Sequence, residues 1–259
     1  MQDRYAGDIG DYFKFALLRC LGPGASRQTL GVAWYRVPNE QGNEDGKYTR
    51  YTENPDYWSG LCPATFTKLA RIACDRAGRS VASLQATGLL GKTVFHSDCI
   101  PTPTAAHRQR ERGEWFKGVV RAMKGRDTVF VDPDNGLEPE GYNPGGANAH
   151  KSITRQEVCK LAQGRALVIY HHQTRRKGGH LSEIDHLHAL LREDGLDVKG
   201  SVRARPWSPR LFILVGATDA QVRAARDFAE KSHDEAHWFA ENKRAADRVL
   251  PKSGSRVRW

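Results

Sequence analysis

Apolar positions along the chain switch between a helical period and a two-residue period, and the switches divide it into alternating elements. In residues 8–21, Phe13, Ala16, Leu17, Cys20 and Leu21 recur at helical spacing behind a polar turn that caps the segment, and Gly22, Pro23 and Gly24 stop it. Residues 30–37 read as the first strand, running into a polar, acidic loop over 38–47 that either lines a ligand site or lies at the surface. An aromatic stretch with Tyr48, Tyr51, Tyr57 and Trp58 is predicted to pack over the domain, with base stacking as its alternative use. A helix follows with Phe66, Leu69 and Ile72 on one face, then a helix over 81–90 and a short strand over 92–98 that ends in His96 and Asp98.

The basic amphipathic segment 107–123 is predicted as a helix whose Trp115, Phe116, Val119 and Met123 pack while its arginines face solvent. Residues 128–131 form the central strand; a helix capped at Ser152 follows, then a buried strand over 166–170 and a helix over 181–193. Segments 198–203 and 211–217 pair antiparallel across Pro206 to Pro209, and a last polar helix is predicted from 219 to about 248. Strands alternating with helices and then a closing hairpin predict an α/β fold. We expect a three-layer Rossmann-like domain over residues 1–250 with loop insertions, a mainly parallel sheet, and residues 211–215 as an antiparallel edge strand. Residues 251–259 are a loose basic tail.

Composition narrows the partners. A net charge of +10 and a pI near 9.5 favour a polyanion, and nucleic acid is the expected one. Arg108, Arg110 and Arg112 on the basic helix, and Arg175, Arg176 and Lys177 after the 166–170 strand, are the candidate phosphate contacts, against the plain alternative of a solvated face. Five cysteines without a CxxC pair, and no apolar leader, fit reduced thiols in a cytoplasmic protein, and no apolar run approaches the roughly 18 residues of a membrane span.

The candidate chemistry lies where the central strand meets Asp132, Pro133, Asp134, Asn135 and Gly136, with Glu138 close by. A turn needs only one such residue, whereas two carboxylates and an amide beyond a buried strand suit a cleft at the carboxyl end of a sheet. Lys14 sits one turn into the first helix near two aspartates, and we expect Lys14, Asp132, Asp134 and one of His171 or His172 to converge.

These residues resemble the class I methyltransferase fold, and most closely the family of 23S ribosomal RNA adenine-N6 methyltransferases. Asp132-Pro133-Asp134-Asn135 is similar to that family's Asp-Pro-Pro-Tyr-type signature, and residues 7–14 resemble its amino-terminal helix start. The chain also resembles bacterial proteins of unassigned function that share Gly-Asp-Ile-Gly-Asp, Asp-Pro-Asp-Asn-Gly and Tyr-His-His. The resemblance implies S-adenosylmethionine as cofactor and an exocyclic amine as acceptor. It gives Asp132 the role of orienting that amine and Pro133 a carbonyl beside it, with Asp134 and Asn135 completing the signature. Lys14 would lie near the cofactor's carboxylate and Asp98 near its adenosine or ribose, while Trp34 and Tyr35 end the strand beside which the cofactor lies. No glycine-rich loop follows Tyr35, and Asn135 stands where the signature has an aromatic; Trp115 or Tyr142 are substitutes for that ring. The competing reading is a nuclease or phosphohydrolase using magnesium or manganese on Asp132, Asp134, Glu138 and His171 or His172; a third is a non-catalytic nucleic-acid-binding relative.

Overall fold

The two periods of the sequence become a seven-stranded sheet covered by helices on both faces. The structure, a computed structural model, describes residues 1–22, 29–40, 48–75, 77–102 and 104–240. In chain order the elements are α1 (Ile9–Leu21), β1 (Leu30–Trp34), α2 (Pro55–Trp58), α3 (Pro63–Cys74), α4 (Val81–Ala86), β2 (Val94–His96), α5 (Ala105–Ala122), β3 (Thr128–Asp132) and β4 (Gly136–Leu137). They continue with β5 (Ser152–Ile153), α6 (Arg155–Leu161), β6 (Ala166–His172), α7 (Gly179–Glu193), β7 (Val198–Ala204), β8 (Arg210–Val215), α8 (Asp219–Glu230) and β9 (Ala236–Ala240). No helix among the described residues is long and apolar enough to cross a membrane.

The sheet order is β2-β1-β3-β6-β8-β7-β9. The first four strands are parallel, and β8 enters antiparallel between β6 and β7. Side chains alternate across the sheet as the two-residue period requires. Phe130 of β3 and Val168 of β6 join the core under α1, α3, α4 and α8, whereas Val129, Val131, Leu167 and Ile169 join the core under α5, α6 and α7. Both faces are therefore dry, which is why β3 reads as an unbroken apolar run.

Helix α1 forms because the Asp8 side chain caps it by accepting from the Asp11 amide, and ten consecutive residues, Ile9 to Leu18, are then buried. Tyr12 stacks on Tyr51 and meets Phe66 and Trp58 edge-on, so the aromatic stretch packs under the domain. A helix buried all round places its polar residues inside, and this carries Asp11 and Lys14 to the sheet.

Three expectations are corrected. Strand β8 is antiparallel, but β7 and β9 cover it, and β9 is the edge. The last helix ends at Glu230; His233 and Asp234 adopt left-handed backbone (φ 50° and 65°) and turn the chain into β9, and residues 241–259, including the basic tail, lie outside the described residues. Ser152 belongs to β5, and Thr154 caps α6 through a reciprocal pair of hydrogen bonds with Glu157. The stop at Pro23 and Gly24 and most of the 38–47 loop also fall outside the described residues.

Candidate functional site

Strands β1, β3 and β6 end side by side, with Trp34 in register with Asp132, and their carboxyl ends open on a cleft of about 280 Å³. Pro133 ends β3 because it has no amide to continue the ladder. The chain then doubles back: the Asn135 amide donates to the Lys151 carbonyl (2.8 Å), and the His172 amide donates to the Asn135 carbonyl (3.2 Å). Gly136 makes this possible. Its φ is +101°, and a Cβ there would lie 2.3 Å from the His171 ring.

At the floor of the cleft the Lys14 ammonium donates to Asp11 Oδ1 (2.7 Å) and Asp132 Oδ2 (2.8 Å) and lies 5.4 Å from the centres of both the Trp34 and Tyr170 rings. Lys14 is 4% exposed, Asp11 1% and Asp132 2%. Burial alone would lower the Lys14 ammonium, but the two carboxylates raise it above the ordinary lysine value, so it stays charged. Burial raises the Asp132 carboxyl, and Lys14 offsets only part of that. Asp8 at the rim is raised to about 6 by burial and by the Asp11 charge, with Arg210 pulling the other way. Asp134 accepts from Gln2 Nε2 (2.8 Å) and pairs with the Met1 ammonium; burial opposes its charge, yet these partners leave it below the usual carboxylate range.

Lys14, Asp132, Pro133, Asp134, Asn135 and His172 thus line one cleft. His171 points away, as its place beside His172 on a strand requires. Its Nδ1 accepts from the Leu137 amide (3.1 Å), which leaves Nε2 to face Glu183 (3.5 Å). Burial works against the Glu183 carboxylate, but bonds from His171 and from Thr174 bring it down to about 2. These groups line a second cavity of about 320 Å³ that shares Asn135 and His172 with the first.

The other predicted residues lie elsewhere. Trp34 and Tyr35 are fully buried, Trp34 between Phe15 and Phe95 and Tyr35 against Trp115. Asp98 is exposed beside His96 (3.6 Å). Arg108 donates to the Gly145 carbonyl (2.7 Å), Arg110 is exposed, and Arg176 pairs with Glu140 (2.9 Å) at the second cavity; Arg175 and Lys177 are exposed. Arg112, expected to face solvent, is buried: its guanidinium grips both Glu157 oxygens (2.8 and 2.7 Å) and the Ala149 and Ser152 carbonyls, fixing α5 to the segment before α6. Its burial removes it from any phosphate-binding face. Trp115 is also buried, and Tyr142 donates to the Ala149 carbonyl (3.2 Å).

Sequence reasoning gave no role to several groups that line the cleft, Tyr170 and Arg210 among them. Arg210 opens the antiparallel β8, so it stands at the carboxyl end of the parallel strands, in register with His172. A charged residue starting an apolar strand beside a turn was its only signal. Among the described residues no group of three His, Cys, Asp or Glu side chains is placed to hold a metal ion. Compared with protein-family models and with curated proteins, the chain matches none.

Proposed function

We propose that the chain is an S-adenosylmethionine-dependent methyltransferase acting on an exocyclic amine of nucleic acid. The observation that carries this reading is Asp132, the last residue of β3, set at a cleft floor with its Oδ2 held by the buried Lys14 ammonium. A fixed carboxylate beside the Pro133 backbone is suited to accept hydrogen bonds from an amino group and to aim its lone pair, and positioning is the main requirement of methyl transfer. The antiparallel β8 set between β6 and β7 adds the closing hairpin of the methyltransferase layout.

The residues present fit the donor by charge. Asp8 gives the cleft a carboxylate without an ion-pair partner among the described residues, which favours a cationic centre. When bound, the donor supplies an electrophilic methyl group on a sulfonium sulfur. As the amine nitrogen forms its bond to the methyl carbon, the carbon–sulfur bond breaks and the amine must release a proton. Asp132, whose carboxyl is raised by burial, takes that proton. Lys14 keeps Asp132 in place.

The nuclease reading has less support. Its metal would have to displace the Lys14 ammonium from Asp132, and His171 and Glu138 are already committed to the Leu137 and Arg155 amides. The test is calorimetric titration with S-adenosylmethionine, followed by transfer of labelled methyl to RNA and to DNA. The donor is expected to bind, and Asp132→Ala to lower transfer by about 100-fold or more while nucleic-acid affinity holds. A protein that ignores the donor, and cuts strands only with magnesium or manganese until a chelator is added, overturns the proposal.

A further inference from the structure

Arg210 is the anomaly of the cleft. Its side chain is 2% exposed, and neither Nε nor Nη1 has a hydrogen-bond partner among the described residues. No carboxylate among the described residues lies within ion-pair distance of it, although Asp8 is near enough to feel its charge. Buried guanidinium groups are normally satisfied, as Arg112 is here by Glu157 and two carbonyls. Gly10 lies beside both groups: a Cβ there would press on Asp8 Oδ1 at 2.9 Å while meeting Arg210 Cζ and Nε at an ordinary 3.5 Å.

The neighbours of Arg210 in the cleft are a hydroxyl and an imidazole. Ser208 lies two residues before it, with its hydroxyl 3.2 Å from His172 Nε2; His172, whose Nδ1 lies 3.4 Å from the Tyr170 hydroxyl, is the register partner of Arg210 on β6. This corner belongs to β6 and β8, on the far side of Asp132 from β1. We propose that Arg210 anchors an oxyanion subsite in the cleft, and that its occupant is the phosphate of a nucleotide drawn in from a nucleic-acid strand. A guanidinium with free N–H groups, a hydroxyl and an imidazole match a phosphate's several acceptor oxygens. At 2% exposure Arg210 is out of reach of a strand lying across the surface, so the nucleotide must enter, as a flipped or terminal residue does. The identity of the occupant rests on the methyltransferase reading; the subsite itself does not.

The full chain is titrated calorimetrically with inorganic phosphate, adenosine 5′-monophosphate and adenosine, and with S-adenosylhomocysteine and 5′-methylthioadenosine, of which only the first carries the amino-acid group with its carboxylate. Wild type is expected to bind the monophosphate about tenfold or more tighter than adenosine, and to bind inorganic phosphate, which settles the matter whatever the base. Arg210→Met should remove both effects, leave the response to S-adenosylhomocysteine unchanged, and unfold at the same or a higher temperature, because it deletes an unpaired buried charge. Arg210→Lys should keep part of the phosphate preference. If the phosphate preference appears while neither sulfur compound nor the donor binds, the subsite stands and the methyltransferase reading falls. Equal binding of the monophosphate and adenosine with no binding of inorganic phosphate overturns the proposal. So does a variant that unfolds earlier or fails to fold, which makes Arg210 structural. Loss of S-adenosylhomocysteine binding in place of phosphate binding would move the occupant to a carboxylate and overturn the phosphate assignment.

Discussion

Replacing Lys14 by methionine tests whether the cleft floor is held together by the buried Lys14 ammonium. The side chain keeps most of its length, so the change is in charge: Asp11 and Asp132, 1% and 2% exposed, lose the group that donates to both at 2.7 and 2.8 Å. Removing one partner of a buried ion pair costs about 3–5 kcal/mol, a large part of the roughly 5–15 kcal/mol that holds a typical domain folded. The loss has a pH signature. In wild type the Lys14 pKa is raised above 10.5, so its contribution is complete below that value and is lost only as pH climbs through the folded pKa; between pH 5 and 8 it is flat. In the variant Asp132, already raised by burial, rises further. A carboxyl with a raised folded pKa binds more protons folded than unfolded, so stability improves as pH falls through that pKa. Urea unfolding followed by tryptophan fluorescence at about pH 5, 6.5 and 8 should therefore show the largest deficit at pH 8 and a smaller one at pH 5. Adding Asp132→Asn to the variant should recover part of the deficit at pH 8. A deficit below about 0.5 kcal/mol at pH 8, or one equal at pH 5 and 8, would refute the reasoning.

Asp8→Asn keeps the cap of α1, since asparagine also accepts from the Asp11 amide, but removes a carboxyl raised from 3.8 to about 6. Wild-type stability should fall as pH rises through that window, because the folded state holds the proton longer, and the variant's urea midpoint should lack this slope; an unchanged slope assigns it to another group. Arg112→Met should destabilise by about 3–5 kcal/mol, against less than about 0.5 kcal/mol for Arg110→Ala on the same helix. Equal effects in thermal unfolding would contradict the burial of Arg112.

The fold was legible where one local signal decided the outcome. The apolar run of β3 and the polar turn that caps α1 each fix an element without distant help. Reading failed where two local signals were equal or the usual one was missing. Ser152 and Thr154 are both good caps, and only Glu157, three residues after Thr154, favours the second. The break after α8 is made by His233 and Asp234 in left-handed backbone, a role ordinarily marked by glycine, so the polar helix pattern runs past it unbroken. Arg108 and Arg112 sit one turn apart on α5, and what buries the second is Glu157, 45 residues on, which no local pattern reveals. Lys14 and Asp132 were brought together in the reading because Asp132 ends a buried strand and Lys14 lies in an apolar helix close to two aspartates; Arg210 was not, because its charge lay just outside the predicted 211–217 strand, beside a turn.

The charges of the cleft are unevenly matched. Its walls carry five carboxylates, Asp8, Asp11, Glu40, Asp132 and Asp134, and three cationic side chains, Lys14, Lys151 and Arg210. Lys14 binds Asp11 and Asp132, Lys151 binds Glu40, and Asp134 has the Met1 ammonium. Among the described residues two groups of opposite sign are left: Asp8, which accepts from a backbone amide, and Arg210, which has no partner at Nε or Nη1. They attract each other but do not touch, with Gly10 between them. Had the fold needed only to neutralise them, a direct ion pair would do so; holding them apart leaves one carboxylate and one guanidinium to be met by charges from outside. A cationic centre facing Asp8 and an oxyanion facing Arg210 satisfy both at once, and a donor–acceptor pair of a sulfonium and a nucleotide carries those two charges.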